Sequence, residues 1–227
     1  SCTSELMSGL GNLAEAYNVP VQSHLSENHG EIDWVAALHP EVANYTDVYY
    51  EHHLMGKVPT VMAHCIHLSD VEMDRMAETQ TMVSHCPYSN VNLSSGIAPI
   101  RKLFERKIPI GLGSDISGGH IVSMAKVLTE AIGLSKMKWV EVDQTYAPLT
   151  LSEAFYMATK GGGKFFGKVG SFEKGCELDA LVIDDTTLFD PNERSLEERL
   201  ERWLYVGDDR HIVERYVAGK VDPEPTN

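Results

Sequence analysis

Five side chains that can bind a metal or carry a proton stand at or just past the ends of short apolar runs: His24, Glu27, His64, His85 and Asp115. His24 ends the run 19–24, His64 the run 60–64 and His85 the run 81–85. Asp115 follows the glycine-flanked run 108–113. His24, His64, His85 and Asp115 are separated by 40, 21 and 30 residues. A lone histidine at a strand end is usually structural, but four polar residues at four successive strand ends form a pattern. Glu27 follows His24 by three residues, close enough for its carboxylate to enter the same cavity and shuttle protons. Imidazoles and a carboxylate around one point suit zinc, or iron, with a position left open for water.

These residues converge only if the chain supplies parallel strands. The spacing predicts helices over 5–17, 31–38, 69–78, 97–105 and 124–136, alternating with the four apolar runs. Leu6, Leu10, Leu13 and Tyr17 fall on one face of the first helix, and Ser69 with Glu72 has the form of a capping box. Short apolar strands separated by helices imply parallel βα units, whose strand C-termini share one face. After a helix over 152–159 the character changes. The triple glycine 161–163 reads as a helix stop. The runs 178–183 and 213–217 read as strands of a small β appendage, and 223–227 as a frayed tail. This divides the chain into 1–165, about four βα units, and 166–227. A closed barrel needs eight strands and typically about 250 residues. The expected fold is therefore α/β: half of a (β/α)8 barrel plus a β appendage.

Composition narrows the partners. The chain has 227 residues, 19 Lys and Arg against 33 Asp and Glu, and a net charge of −14, which disfavours nucleic-acid backbones and anionic membranes. No apolar run reaches the roughly 18 residues of a membrane span. Four scattered cysteines form neither a disulfide framework nor a zinc finger, which fits a reducing, cytoplasmic setting. Cys65 and Cys86 lie in apolar stretches and read as inert buried thiols. The chain opens at Ser1 without Met, the mark of a processed or incomplete chain. Other chemistries lack their motifs: there is no His-Glu-x-x-His, no Pro-Cys-x-x-Cys, and 160–164 lacks P-loop spacing. His52 and His53 read as surface residues, and His67 as a loop residue.

Several contexts resemble the guanine deaminase branch of the amidohydrolase superfamily. They are His24-Leu25-Ser26-Glu27-Asn28, Met62-Ala63-His64-Cys65, the stretch from Ser84 to Asn90, the stretch from Gly111 to Gly119, and Tyr205 to Arg210. The resemblance implies zinc-dependent hydrolysis of guanine to xanthine and ammonia. It makes His24 a zinc ligand beside the purine, Glu27 the proton shuttle, and His64 a partner of the reacting water or oxyanion. It makes Asp115 a zinc ligand and proton acceptor, so that His24, Glu27 and Asp115 contact substrate. It leaves His85 structural or outside the ligand sphere, and it implies a homodimer. The family's His-x-His metal pair is not found in this sequence. The alternatives are a related aminohydrolase or chlorohydrolase acting on another purine, pterin or triazine, or an inactive fragment.

Overall fold

A computed structural model of the protein describes residues 2–222; the tail expected over 223–227 lies outside them. The chain runs α1 (Ser4–Tyr17), β1 (Val21–Leu25), α2 (His29–Leu38), α3 (Tyr45–Glu51), β2 (Thr60–His64), α4 (Asp70–Thr79), β3 (Met82–His85), α5 (Pro87–Asn92), α6 (Ile100–Glu105), β4 (Ile110–Leu112), α7 (Met124–Glu141) and α8 (Leu151–Tyr156). There follow β5 (Ala180–Ile183), α9 (Leu196–Val206), β6 (Ile212–Val217) and β7 (Lys220–Val221). Strands β1 to β4 make one parallel sheet in the order β1-β2-β3-β4, with Leu25 opposite His64 and His85 opposite Leu112. Parallel pairing sends every C-terminus, and so His24, His64, His85 and the approach to Asp115, to one edge. The fold is α/β with a parallel sheet, as expected.

The local chemistry of the helices explains their starts. Ser69 accepts from the Glu72 amide while Glu72 returns to the Ser69 amide, the expected capping box. The same reciprocal cap opens α2 at Asn28 with Glu31, α8 at Thr150 with Glu153 and α9 at Ser195 with Glu198. Helices α3, α5 and α9 were not anticipated; the first two have only 7 and 6 residues. The apolar core lies between sheet and helices, with Leu25, Met62, Met76, Leu103 and Met157 nearly or wholly inaccessible.

Two expectations need correction, those for His52 and for the triple glycine. Leu6, Leu10, Leu13 and Tyr17 lie on α1 as expected, and all four are exposed; the face turned inward carries Met7, Gly11 and Ala14. Gly11 is needed there, because a Cβ would sit in the backbone carbonyl of His52. His52 is accordingly half-buried, bonded to Ser8 Oγ at 2.9 Å, whereas His53 is exposed. The triple glycine does not stop a helix. Helix α8 runs on through a π-helical segment, Met157–Gly161, and Gly162 and Gly163 are still helical. A Cβ on Gly161 would lie 2.7 Å from Ile110 O, and one on Gly111 2.9 Å from Gly162 Cα, so the glycines let this helix press directly onto β4.

The C-terminal strands form a separate antiparallel sheet, order β5-β6-β7. Helix α9 between them returns to the main core through Trp203 and Leu204, and Lys126 on α7 donates to its Leu204 and Tyr205 carbonyls. The Gly-Asp-Asp-Arg stretch follows α9. Gly207 packs against Trp203 with no room for a Cβ, and Asp208 caps the turn Asp209–His211 while pairing with Arg210 at 2.6 Å. No helix among the described residues is long and apolar enough to cross a membrane.

Candidate active site

Three of the five residues singled out from the sequence, Glu27, His64 and Asp115, meet at the C-terminal edge of the parallel sheet, whereas His24 pairs with Glu31 instead. His64 Nε2 lies 3.7 Å from Glu27 Oε2 and 3.9 Å from Asp115 Oδ2. These separations are longer than a hydrogen bond, so three groups from β2, the β1–α2 loop and the β4–α7 loop frame a common space. His64 is buried and Glu27 largely so, while the Asp115 side chain is 39% exposed. The backbone is bent to make this possible. Ser26, His64, Cys65 and Asp115 all have positive φ, at 49°, 68°, 51° and 44°. For non-glycine residues this conformation costs on the order of 1 kcal/mol each, and such outliers gather at functional sites. The loops are tied together by Cys65 N–H to Leu25 O and by Ile66 and His67 N–H to Ser26 O.

His64, Glu27 and His24 each have a partner that sequence reading assigned no role. Asn90 Oδ1, from α5, is 2.9 Å from His64 Nδ1. An amide oxygen only accepts, so Nδ1 carries the proton and Nε2 is the atom turned to the carboxylates. Ser95 Oγ donates to Glu27 Oε1 at 2.9 Å. Glu31 accepts from His24 Nε2 at 3.0 Å, from Tyr45 Oη at 2.7 Å and from the Glu27 backbone N–H at 2.9 Å. Burial works against ionising Glu31, but the hydrogen bonds from His24, Tyr45 and the Glu27 amide outweigh it and hold its carboxyl at about 2. The same bond raises His24 above the ordinary imidazole range, against the opposing effect of burial. Glu31 could have been found, since Asn28-x-x-Glu31 has capping-box form. Asn90 closes the stretch from Ser84 that carries the resemblance, though no role was read for it, and Ser95 carries no such signal.

His85 stays out of this group. It is wholly buried, and burial, with the nearby His64 imidazole as a lesser cause, lowers it to about 4, so it is a neutral ring. Its Nδ1 has no partner among the described residues. Cys65 and Cys86 are buried free thiols, as expected. Burial pushes Cys86 up to about 11, far from a reactive thiolate. An open cavity of about 1580 Å³ covers the other side of the strands, lined by Val61, Ala63, Met82, Ser84 and Gly111, and it reaches the site at Asp115.

The donor types at the site suit zinc, but their number falls short. Among the described residues no group of three or more His, Cys, Asp and Glu side chains could hold a metal ion. His24 has its Nε2 committed to Glu31, and Asp115 turns an accessible carboxylate to the cavity. These two can supply donors to a metal centre, but they do not form one alone.

Residues 1–221 match the amidohydrolase family. The chain belongs to that family. Amidohydrolases typically use a divalent metal. The chain is 42% identical to a guanine deaminase of Dictyostelium discoideum over 96% of its own length and 50% of that protein's. It is 40% identical to the guanine deaminase of Mus musculus, over 97% of this chain and 50% of that one. Among solved structures it is similar to the guanine deaminase from C. acetobutylicum with bound guanine in the active site. There the TM-score is 0.94 and the identity 52%, covering 97% of this chain and 52% of that one. The chain thus spans about half the length of the relatives it matches.

Proposed function

We propose that this amidohydrolase chain carries the proton-transfer half of a zinc-dependent guanine deaminase, which converts guanine to xanthine and ammonia. The observation that carries the reading is the convergence of Glu27 and Asp115 on His64 Nε2. It occurs in a chain 52% identical to a structure with guanine in its active site. The four-stranded parallel sheet, with β1 and β4 as its edges, is read as half of an eight-stranded barrel. Residues 1–165 make up that half, and 166–227 the β appendage whose helix α9 docks back onto it. His24 and Asp115 would be two of the zinc ligands. Zinc, when bound, would supply a water acidic enough to ionise near neutral pH.

The remaining chemistry belongs to this chain's side chains. Water attacks C2 of guanine. The water loses two protons in turn: Glu27 takes the first and delivers it to ring nitrogen N3, and Asp115 accepts the second from the hydroxyl now on C2, returning it to Glu27 as the C2 oxygen becomes the carbonyl of xanthine. Glu27 then protonates the amine, which leaves as ammonia. His64 turns Nε2 to the developing charge, with its ring fixed by Asn90. General acid–base catalysis is worth roughly 10²–10⁴-fold. Glu27→Gln in the zinc-loaded enzyme carrying this chain is therefore expected to lower kcat for ammonia release from guanine by at least about 100-fold. Near-normal turnover with zinc still bound would remove Glu27 from the proton path.

A further inference from the structure

Glu27 Oε1 is fixed while its Oε2 faces His64, and the group that fixes it is not free to move. Ser95 is buried, at 6% exposure, in the loop between α5 and α6. All three of its polar groups are engaged. Its N–H donates to Asn90 O at 2.8 Å, its carbonyl accepts from His67 Nε2 at 2.7 Å, and its hydroxyl donates to Glu27 Oε1 at 2.9 Å. The loop itself is held in an unusual shape: Ser94 has φ 55° and Gly96 φ 129°. A Cβ on Gly96 would lie 3.1 Å from Ile66 Cγ2 and 3.3 Å from His67 Cε1, so the loop rests directly on His67. His67 in turn lies against His29, ring centroids 4.0 Å apart and planes tilted by 36°. Ser95 is thus anchored from both sides by the segments that follow β2 and β3. Through Asn90, the same stretch of chain also grips His64.

We propose that Ser95 is a positioning residue for the Glu27 carboxylate, and that His67 locks the Ser95 loop in place for that purpose. The hydroxyl holds Oε1, so the proton-carrying oxygen is Oε2, the one aimed at the reacting space. His67 donates to the Ser95 carbonyl through Nε2–H, which fixes its tautomer with Nδ1 free of its proton in the neutral ring. The inference rests on reading Glu27 as the proton shuttle.

The test uses the zinc-loaded holoenzyme that carries this chain, with guanine as substrate. Ser95→Ala is expected to lower kcat about tenfold, the scale of one hydrogen bond to a charged group. KM should stay within about twofold and zinc content should be unchanged, because the lost bond matters for proton transfer and not for substrate binding. His67→Ala, which keeps the hydroxyl but frees the loop, should lower kcat by about threefold, and His67→Gln, which keeps an N–H donor, should restore it. This pair decides the matter if Ser95→Ala does not fold. Unchanged kcat in Ser95→Ala, or a rise in KM with kcat held, would overturn the proposal. So would equal activity of His67→Ala and His67→Gln. Glu27→Gln, measured alongside, separates the two levels. A silent Glu27→Gln defeats the functional reading itself, whereas an inactive Glu27→Gln with a normal Ser95→Ala defeats only the positioning role.

Discussion

Adding one methyl group to either of two helical glycines should change stability in opposite directions. Alanine in place of glycine in a helix gains about 1 kcal/mol of intrinsic propensity. Gly133, in the middle of α7, has no atom within 4 Å of where a Cβ would go, so Gly133→Ala should keep that gain. At Gly161 the new Cβ would lie 2.7 Å from Ile110 O and 2.8 Å from Tyr156 O, both backbone atoms, with Tyr156 Cε1 at 3.1 Å. Neither carbonyl can swing away, since one belongs to β4 and the other to the π-helical turn. Overpacking of this kind costs about 1–3 kcal/mol, which outweighs the propensity gain. Gly161→Ala should therefore be net destabilising by up to about 2 kcal/mol. With a urea m-value of about 2–3 kcal/mol/M, the midpoint should fall by roughly 0.5 M in Gly161→Ala and rise by roughly 0.3 M in Gly133→Ala. Urea unfolding followed by circular dichroism measures both. A midpoint for Gly161→Ala at or above that of the parent chain would refute the close packing of this helix on β4.

Two further perturbations test the scaffold and the site. Arg101 on α6 grips Glu153 on α8 through two bonds of 2.6 and 2.9 Å, and the Arg101 hydrogen bond holds Glu153 at about 2, below the free value of 4.5. A depressed carboxyl stabilises the fold above its unfolded pKa and loses that effect as pH falls through the folded one. The shift corresponds to at most about 3 kcal/mol, reduced to about 1 kcal/mol for a side chain a third exposed. Glu153→Gln should thus cost about 1 kcal/mol at pH 7, with the gap narrowing between pH 4.5 and 2; a gap independent of pH in urea titrations would contradict the pair's role. Asn90→Ala leaves the buried Nδ1–H of His64 without an acceptor, which should destabilise by about 1–3 kcal/mol and lower kcat for guanine about tenfold or more. Unaltered steady-state kinetics would show that His64 does not depend on Asn90 for its orientation.

What could be read from the sequence, and what could not, divides by how far a feature depends on distant chain. The runs ending at His24, His64 and His85 announced themselves because short, mostly apolar runs separated by helix-like segments mark parallel strands. Ser69 and Glu72 did so because a capping box is complete within four residues. The triple glycine was misread for a physical reason: glycine weakens a helix interior, so three in a row normally mark an end. Only the approach of β4, some 50 residues earlier in the chain, gives them a purpose inside one. Leu6, Leu10, Leu13 and Tyr17 show the same limit from the other side, since helical spacing identifies an apolar face but not what covers it. The candidate site follows this gradient too. Glu27 was found from its distance to His24 along the chain. The groups that hold the site rigid come from further away: Asn90 is 26 residues from His64, and Ser95 is 68 from Glu27. The groups proposed to do the chemistry stand as metal-binding or proton-carrying residue types at strand ends, whereas those that hold them are an ordinary serine and asparagine to which the sequence assigned no role. A substitution at Ser95 would look neutral in the sequence, yet it would remove the hydrogen bond that holds Glu27 Oε1.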